Sequence, residues 1–283
     1  MKIMYLLLLL SFGLSTAALA QQPHKLGKLT SSKLDEVSGI IPYAFKPGYF
    51  WVHNDSGDDA SIYLIDSTAN LKLTVSLEGV NVVDCEDIAR VDIRGESYLI
   101  LADMGNNSGK RDTLSLYLFK EPRYEGNEVD IQVKREAIQQ LRFRYKDHKR
   151  DAEALFVDPK DLTVYIISKR DFKSTVFSFP LVPLTDTVQE LEPLLQLPFT
   201  FTTAADITTD GRYILIKNLK SIIMWERKSG AGIITTLKQP FKEIPYEIEP
   251  QGEAICFDLT ERYFYTISER PLGLDAYLYR YDY

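Results

Sequence analysis

The sequence predicts an all-β chain: five similar sheets of about four strands set in a ring, a five-bladed β-propeller whose N-terminal strand closes the last blade. Three observations predict it. One pattern recurs five times along the chain. Its strands are short runs, apolar or alternating, rich in Val, Ile, Tyr and Phe. Gly, Asp, Asn and Pro punctuate the turns between them. A sheet of this kind cannot bury both faces alone, whereas radial stacking covers each face with the next sheet.

The first twenty of the 283 residues stand outside this pattern. Lys2 supplies a positive start, Tyr5 to Leu10 open an apolar run, and Ala18-Leu19-Ala20 forms a small-residue cleavage site. Ser11, Gly13, Ser15 and Thr16 interrupt the run, which falls short of the about twenty apolar residues that span a bilayer. Residues 1–20 therefore read as a signal peptide cleaved near Ala20, and 21–283 as a single propeller domain, secreted or periplasmic, with no membrane span and expected to be a monomer.

The first unit begins at "SGIIPY" (Ser38 to Tyr43) and continues through "YFWVHND" and "SIYLID". The second begins at "EDIARV" (Glu86 to Val91), followed by "SYLILADMG" and "LSLYLF". Its insertion, Glu121 to Arg150, is dense in both charge signs. Within it "LRFRY" alternates like an outer strand, and "REAIQQL" is read either as strand or as one or two helical turns. The third, "EALFVD" (Glu153 to Asp158), has a near twin in the fifth, "EAICFD" (Glu253 to Asp258). The fourth, "ADITTD" (Ala205 to Asp210), leads to "YILIKN" and "SIIMWE". Taking Ser38, Glu86, Glu153, Ala205 and Glu253 as equivalent anchors, the spacings are 48, 67, 52 and 48 residues. The fifth unit supplies three strands before Tyr283, so "HKLGKLTS" (His24 to Ser31) is expected to complete that sheet and clasp the ring.

Removal of Lys2 leaves 32 basic against 40 acidic residues, a balance that excludes general nucleic-acid binding and suits a cation ligand. With three histidines and no CxxC or HExxH pattern, zinc chemistry has no support. The two cysteines, Cys85 and Cys256, are compatible with a disulfide or with two buried thiols.

In a propeller the innermost strand of each blade lines the central channel, and its head lies near one mouth. Glu86, Glu153 and Glu253 are therefore expected to converge on the axis with Ser38, leaving a gap at Ala205. Facing carboxylates without a partner repel and raise one another's pKa, and a hard cation relieves this. Ca2+, which takes six to eight oxygens in loose geometry, fits better than Mg2+. In the alternative reading these acids accept backbone hydrogen bonds and only lock the blades.

The series Ser38, Glu86, Glu153, Glu253 resembles that of calcium-activated apyrases, five-bladed propellers that hold one Ca2+ on the axis with Ser and Glu residues drawn from successive blades. Ala205 departs from that series, with Asp206 or a water to supply the missing oxygen. The motifs "EVSGI", "HNDSGD" and "AEALF" also look like uncharacterised secreted bacterial propellers, related to phytase-like and SdiA-regulated families. That likeness implies the fold and no settled activity.

The second strand of every unit ends in charged or amide side chains, which predicts a shared polar mouth. Asp55, Asp103, Arg111 and Arg270 are the candidate catalytic groups, and His53, Asn54, Lys169, Arg170, Lys217 and Glu269 the candidate ligand-binding ones. Acids beside arginines and lysines suit a Ca2+-dependent hydrolase of phosphate esters or a related small anionic molecule. A non-catalytic propeller that binds a ligand or protein at that mouth is the competing reading, since fold does not fix function. Solvated turns account for the same residues without any ligand, and a carbohydrate-active propeller is the most distant reading.

Overall fold

A computed structural model describes residues 23–283 as a five-bladed β-propeller; the signal-peptide assignment lies outside the described residues. Blade 1 contains Val37–Pro42, Tyr49–Asn54, Ser61–Asp66 and Leu71–Leu77. Blade 2 contains Cys85–Ile93, Glu96–Asp103, Leu114–Lys120 and Ile138–Tyr145. Blade 3 contains Ala152–Asp158, Thr163–Ser168, Thr175–Pro180 and Leu195–Gln196, and blade 4 Thr202–Ile207, Tyr213–Asn218, Ile222–Glu226 and Lys242–Ile244. Blade 5 contains Ala254–Phe257, Tyr263–Ile267 and Tyr277–Asp282, and its outer strand is the N-terminal His24–Lys28, antiparallel to Tyr277–Asp282. The first and last described strands therefore meet in one sheet, as the missing fourth strand of the last unit predicts.

The innermost strands pack against one another in ring order, and that of blade 5 closes on that of blade 1. Burial falls mainly between blades. One apolar cluster joins blades 5, 1 and 2, and others join blades 2 and 3, 3 and 4, and 4 and 5. Trp51, Phe143, Phe156, Trp225 and Phe264 are fully enclosed, each contributing on the order of 2–3 kcal/mol of apolar burial. Cys85 and Cys256 are buried free thiols, so the disulfide alternative does not hold.

The insertion 121–150 acts as a strap. Ile138–Tyr145 is the outer antiparallel strand of blade 2, in line with the alternation of "LRFRY", and Arg135–Ala137 forms a single 3-10 turn. Asp130–Val133 pairs in parallel with Leu71–Leu77 of blade 1, and Gln189–Leu191 adds in parallel to Ile138–Tyr145. Blades 1 and 2 thus gain a fifth strand each, which covers an otherwise open edge.

One local feature positions the site. The innermost strands of blades 1 to 4 each carry a β-bulge near their start, between Val37 and Gly39, Cys85 and Asp87, Ala152 and Ala154, and Thr202 and Ala204. The extra residue is left out of the ladder and re-aims its side chain. These residues are Ser38, Glu86, Glu153 and Thr203, and Glu253 lies just ahead of the first paired residue of blade 5. Ala205 is therefore not the blade 4 equivalent: it sits two residues deeper, paired with Ile216. The "DI" shared by Asp87-Ile88 and Asp206-Ile207 produces a match out of register by two residues. The true position holds Thr203, an oxygen donor by type, so the expected gap does not exist.

Candidate metal centre

Three blades bring a carboxylate from the head of the innermost strand to one mouth of the channel. Glu86, Glu153 and Glu253 are buried, with 1%, 2% and 5% of their surfaces exposed. Glu86 is the hub. One of its oxygens lies within 4.8 Å of carboxylate oxygens of Asp55 and Glu253, and it forms a second such group with Asp151 and Glu153. Asp84 adds a further acid beside it. A Cβ built on Gly105 would stand 2.0 Å from Glu86 Oε1 and 2.4 Å from Asp84 Oδ2, so only glycine lets the 104–111 loop pass over these two groups.

The acids differ in how their charge is met. Lys169 lies between two of them, its Nζ paired with Glu153 Oε2 and 3.0 Å from Glu253 Oε1. Burial works against the lysine's charge, but Glu153 and Glu253 outweigh it and raise its pKa. Lys169, expected to hold an anionic ligand, is thus an internal counter-ion. Asp151 accepts the Asn106 N–H at 2.8 Å and Arg170 Nε at 2.7 Å. Glu86 has no such support: its Oε1 is buried without a hydrogen-bond partner. Burial, and then the charge of Glu153, hold its pKa well above the carboxylate range. Burial also raises Asp84, pushes Asp55 up to about 7 and Glu269 up to about 8, with Asp84 next in importance for Asp55 and Glu253 for Glu269. A basin centred on Asp55, Asp84 and Glu86 therefore carries more acid than the structure neutralises.

The remaining predicted residues fall into distinct surroundings. Ser38 Oγ donates to Glu86 O at 3.0 Å, tying blade 1 to blade 2. Asp103 accepts the Val83 and Asp84 N–H groups at 3.1 and 3.0 Å and pairs with Arg111 at 2.7 Å, while Arg111 Nη1 donates to Gly105 O. Both shape the loop wall of the basin. Asn54 donates to Lys33 O and Asp58 Oδ2, each at 2.8 Å. Arg270 pairs with Asp35 at 2.6 Å, and Glu269 accepts Gln251 Nε2 at 2.8 Å. His53 and Lys217 are fully buried, which removes both from the open mouth where the strand-end pattern put them. His53 Nδ1 donates to Asn54 O, and burial lowers its pKa to about 4, so the ring stays neutral. A Cβ on Gly39 would lie 2.2 Å from His53 Nε2, so glycine is required there as well. Lys217 Nζ donates to Gly252 O, lies 4.9 Å from the Tyr246 ring centre, and has its pKa lowered to about 8 by burial.

No family model and no curated protein matches the chain. A crystal structure of an auxiliary nutrient binding protein from Bacteroides thetaiotaomicron aligns with 93% of this chain and 78% of its own, at 11% identity and a TM-score of 0.48.

Asp84 and Asp151 were missing from the sequence-derived set although a signal for them exists. Each stands two residues before its bulge glutamate, in "DCE" and "DAE", and Glu36 stands likewise before Ser38.

Proposed function

We propose that this propeller is a calcium-binding protein that holds one Ca2+ in the acid basin at a single mouth. Asp55, Asp84 and Glu86 would supply its carboxylate oxygens, with Glu253 adjoining. The observation that carries the reading is Glu86 Oε1, enclosed, without a hydrogen-bond donor, and placed where two groups of three acids meet. A buried carboxylate without a partner is costly, and a divalent cation offsets that cost. The side chains come from different blades and one loop, a flexible oxygen set that suits Ca2+ better than an octahedral Mg2+ site. Because Lys169 occupies the side between Glu153 and Glu253, the ion belongs beside Glu86 rather than on the axis. When bound, the ion would give an otherwise acidic mouth a positive centre for a small anionic ligand.

Binding without turnover is the better supported role. Arg111, Lys169, Lys217 and Arg270, four of the groups expected to hold an anion, already serve Asp103, Glu153 with Glu253, Gly252 O and Asp35. Phosphate-ester hydrolysis is the second reading, and Arg170, half exposed beside Asp151, favours it. Calorimetric titration with Ca2+, with melting curves in calcium and in chelator, tests the first. Saturable heat and a higher melting temperature in calcium are expected; identical curves and no heat would overturn it. Turnover of nucleotides, phytate or aryl phosphates that disappears in chelator would establish the second.

A further inference from the structure

The opposite mouth of the channel contains a separate cavity of about 190 Å3. It is formed where the five innermost strands end: Pro42 from blade 1, Val91 from blade 2, Val157 from blade 3, Ile207 from blade 4 and Phe257 from blade 5 are among its walls. Arg90, half-buried, reaches into it from blade 2. The guanidinium makes one hydrogen bond among the described residues, Nη1 donating to Pro42 O at 3.3 Å, and no ion pair. Five N–H donors in a planar fork are thus almost entirely unused.

The neighbouring acids do not take them up. Asp206 accepts the Ile207 N–H at 2.8 Å and the Phe257 N–H at 2.7 Å, one on each oxygen. The oxygens of Asp258 accept the N–H groups of Thr260, Arg262 and Tyr263. Asp92 stands exposed at the rim. The Thr208 hydroxyl donates to Asp210 and accepts two further N–H groups. What remains open is one bidentate donor set in a pocket of mixed lining, beside the apolar side chains of Val157, Ile207 and Phe257.

We propose that this second mouth binds a small monocarboxylate, its carboxylate forked on Arg90 and its short aliphatic body against Val157, Ile207 and Phe257. A guanidinium matches a carboxylate through two parallel N–H···O bonds. The volume is well below the about 300–1,000 Å3 of pockets that take drug-sized ligands, which limits the body to a short chain. The site shares no residue with the calcium basin and does not depend on it.

The test is calorimetric or NMR titration of the mature chain with acetate, butanoate, hexanoate and octanoate, alongside 1-butanol, n-butylamine and inorganic phosphate. Butanoate is expected to bind saturably and more tightly than phosphate. Affinity should rise about three- to fourfold per methylene until the pocket is full, then fall. Arg90→Gln should weaken butanoate at least about tenfold. Butanol or butylamine binding as tightly as butanoate would overturn the proposal, as would the absence of saturation or an unaffected Arg90→Gln variant. If Arg90→Gln does not fold, the chain-length series in the wild-type protein decides by itself.

Discussion

The channel interior and one of its mouths hold the same kind of side chain and treat it in opposite ways. Deep in the channel, buried Asp87 and Asp206 each accept two main-chain N–H groups. Asp87 takes those of Ile88 and Leu155, and Asp206 those of Ile207 and Phe257. In both cases the second donor belongs to another blade, so these acids fasten the ring. At the mouth, next to Asp87, Glu86 is as deeply buried and has no donor on Oε1. A carboxylate supplied with N–H groups is architecture; Glu86, left without one on Oε1, is where we propose a cation. The bulges create this difference, because they take the glutamates out of the ladder and aim them at one another.

Removing the internal counter-ion should break the contrast most severely. Lys169→Met leaves Glu153 and Glu253 facing each other, at a cost of about 3–5 kcal/mol by chemical denaturation, part of it recovered in calcium. Next, Asp87→Ala strands two buried N–H groups and should cost about 3 kcal/mol in calcium and in chelator alike; a calcium-dependent loss would place Asp87 in the basin instead. Glu86→Gln should do the reverse. It keeps the shape and relieves repulsion, so the melting temperature in chelator should hold or rise. The calcium-induced increment, roughly 5–10 °C at about 100 times the dissociation constant, should vanish.

Acidity distinguishes the two regions more finely. Burial raises Asp206 to about 7, above its unfolded value of 3.8. A carboxyl raised in the folded state contributes stability that is complete below the unfolded pKa and is lost as pH rises through the folded one. Stability in saturating calcium should therefore fall between about pH 4 and 7. Asp206→Asn should flatten that slope by up to about 1.4 kcal/mol per pH unit. Smallest of all, Ser38→Ala removes one hydrogen bond to Glu86 O and should cost about 1 kcal/mol.

Much of this was legible in the chain. The twin runs "EALFVD" and "EAICFD" and the three-strand remainder at the C-terminus predict the ring, its five members and its closure. The convergence of Glu86, Glu153 and Glu253 follows from that register. Asp84 and Asp151 were legible in principle as acids two residues ahead of Glu86 and Glu153. Thr203 was hidden by the "DI" coincidence, which aligns Asp206-Ile207 with Asp87-Ile88 two residues out of register. Lys169 and Arg90 could not be sorted at all: both are basic residues on or just after blade strands, and one is an internal counter-ion while the other is nearly unpaired.

The sequence by itself determined the repeating alternation of apolar residues, the turn chemistry and the missing strand, because these are local periodicities that a single sheet must satisfy. Only the tertiary structure decided which carboxylate receives an N–H, which receives a lysine and which receives nothing. Those partners come from blades up to a hundred residues away, as in the pairing of Glu153 and Glu253 through Lys169. Desolvation, which gives each of them its chemistry, exists only once the ring has closed around the channel.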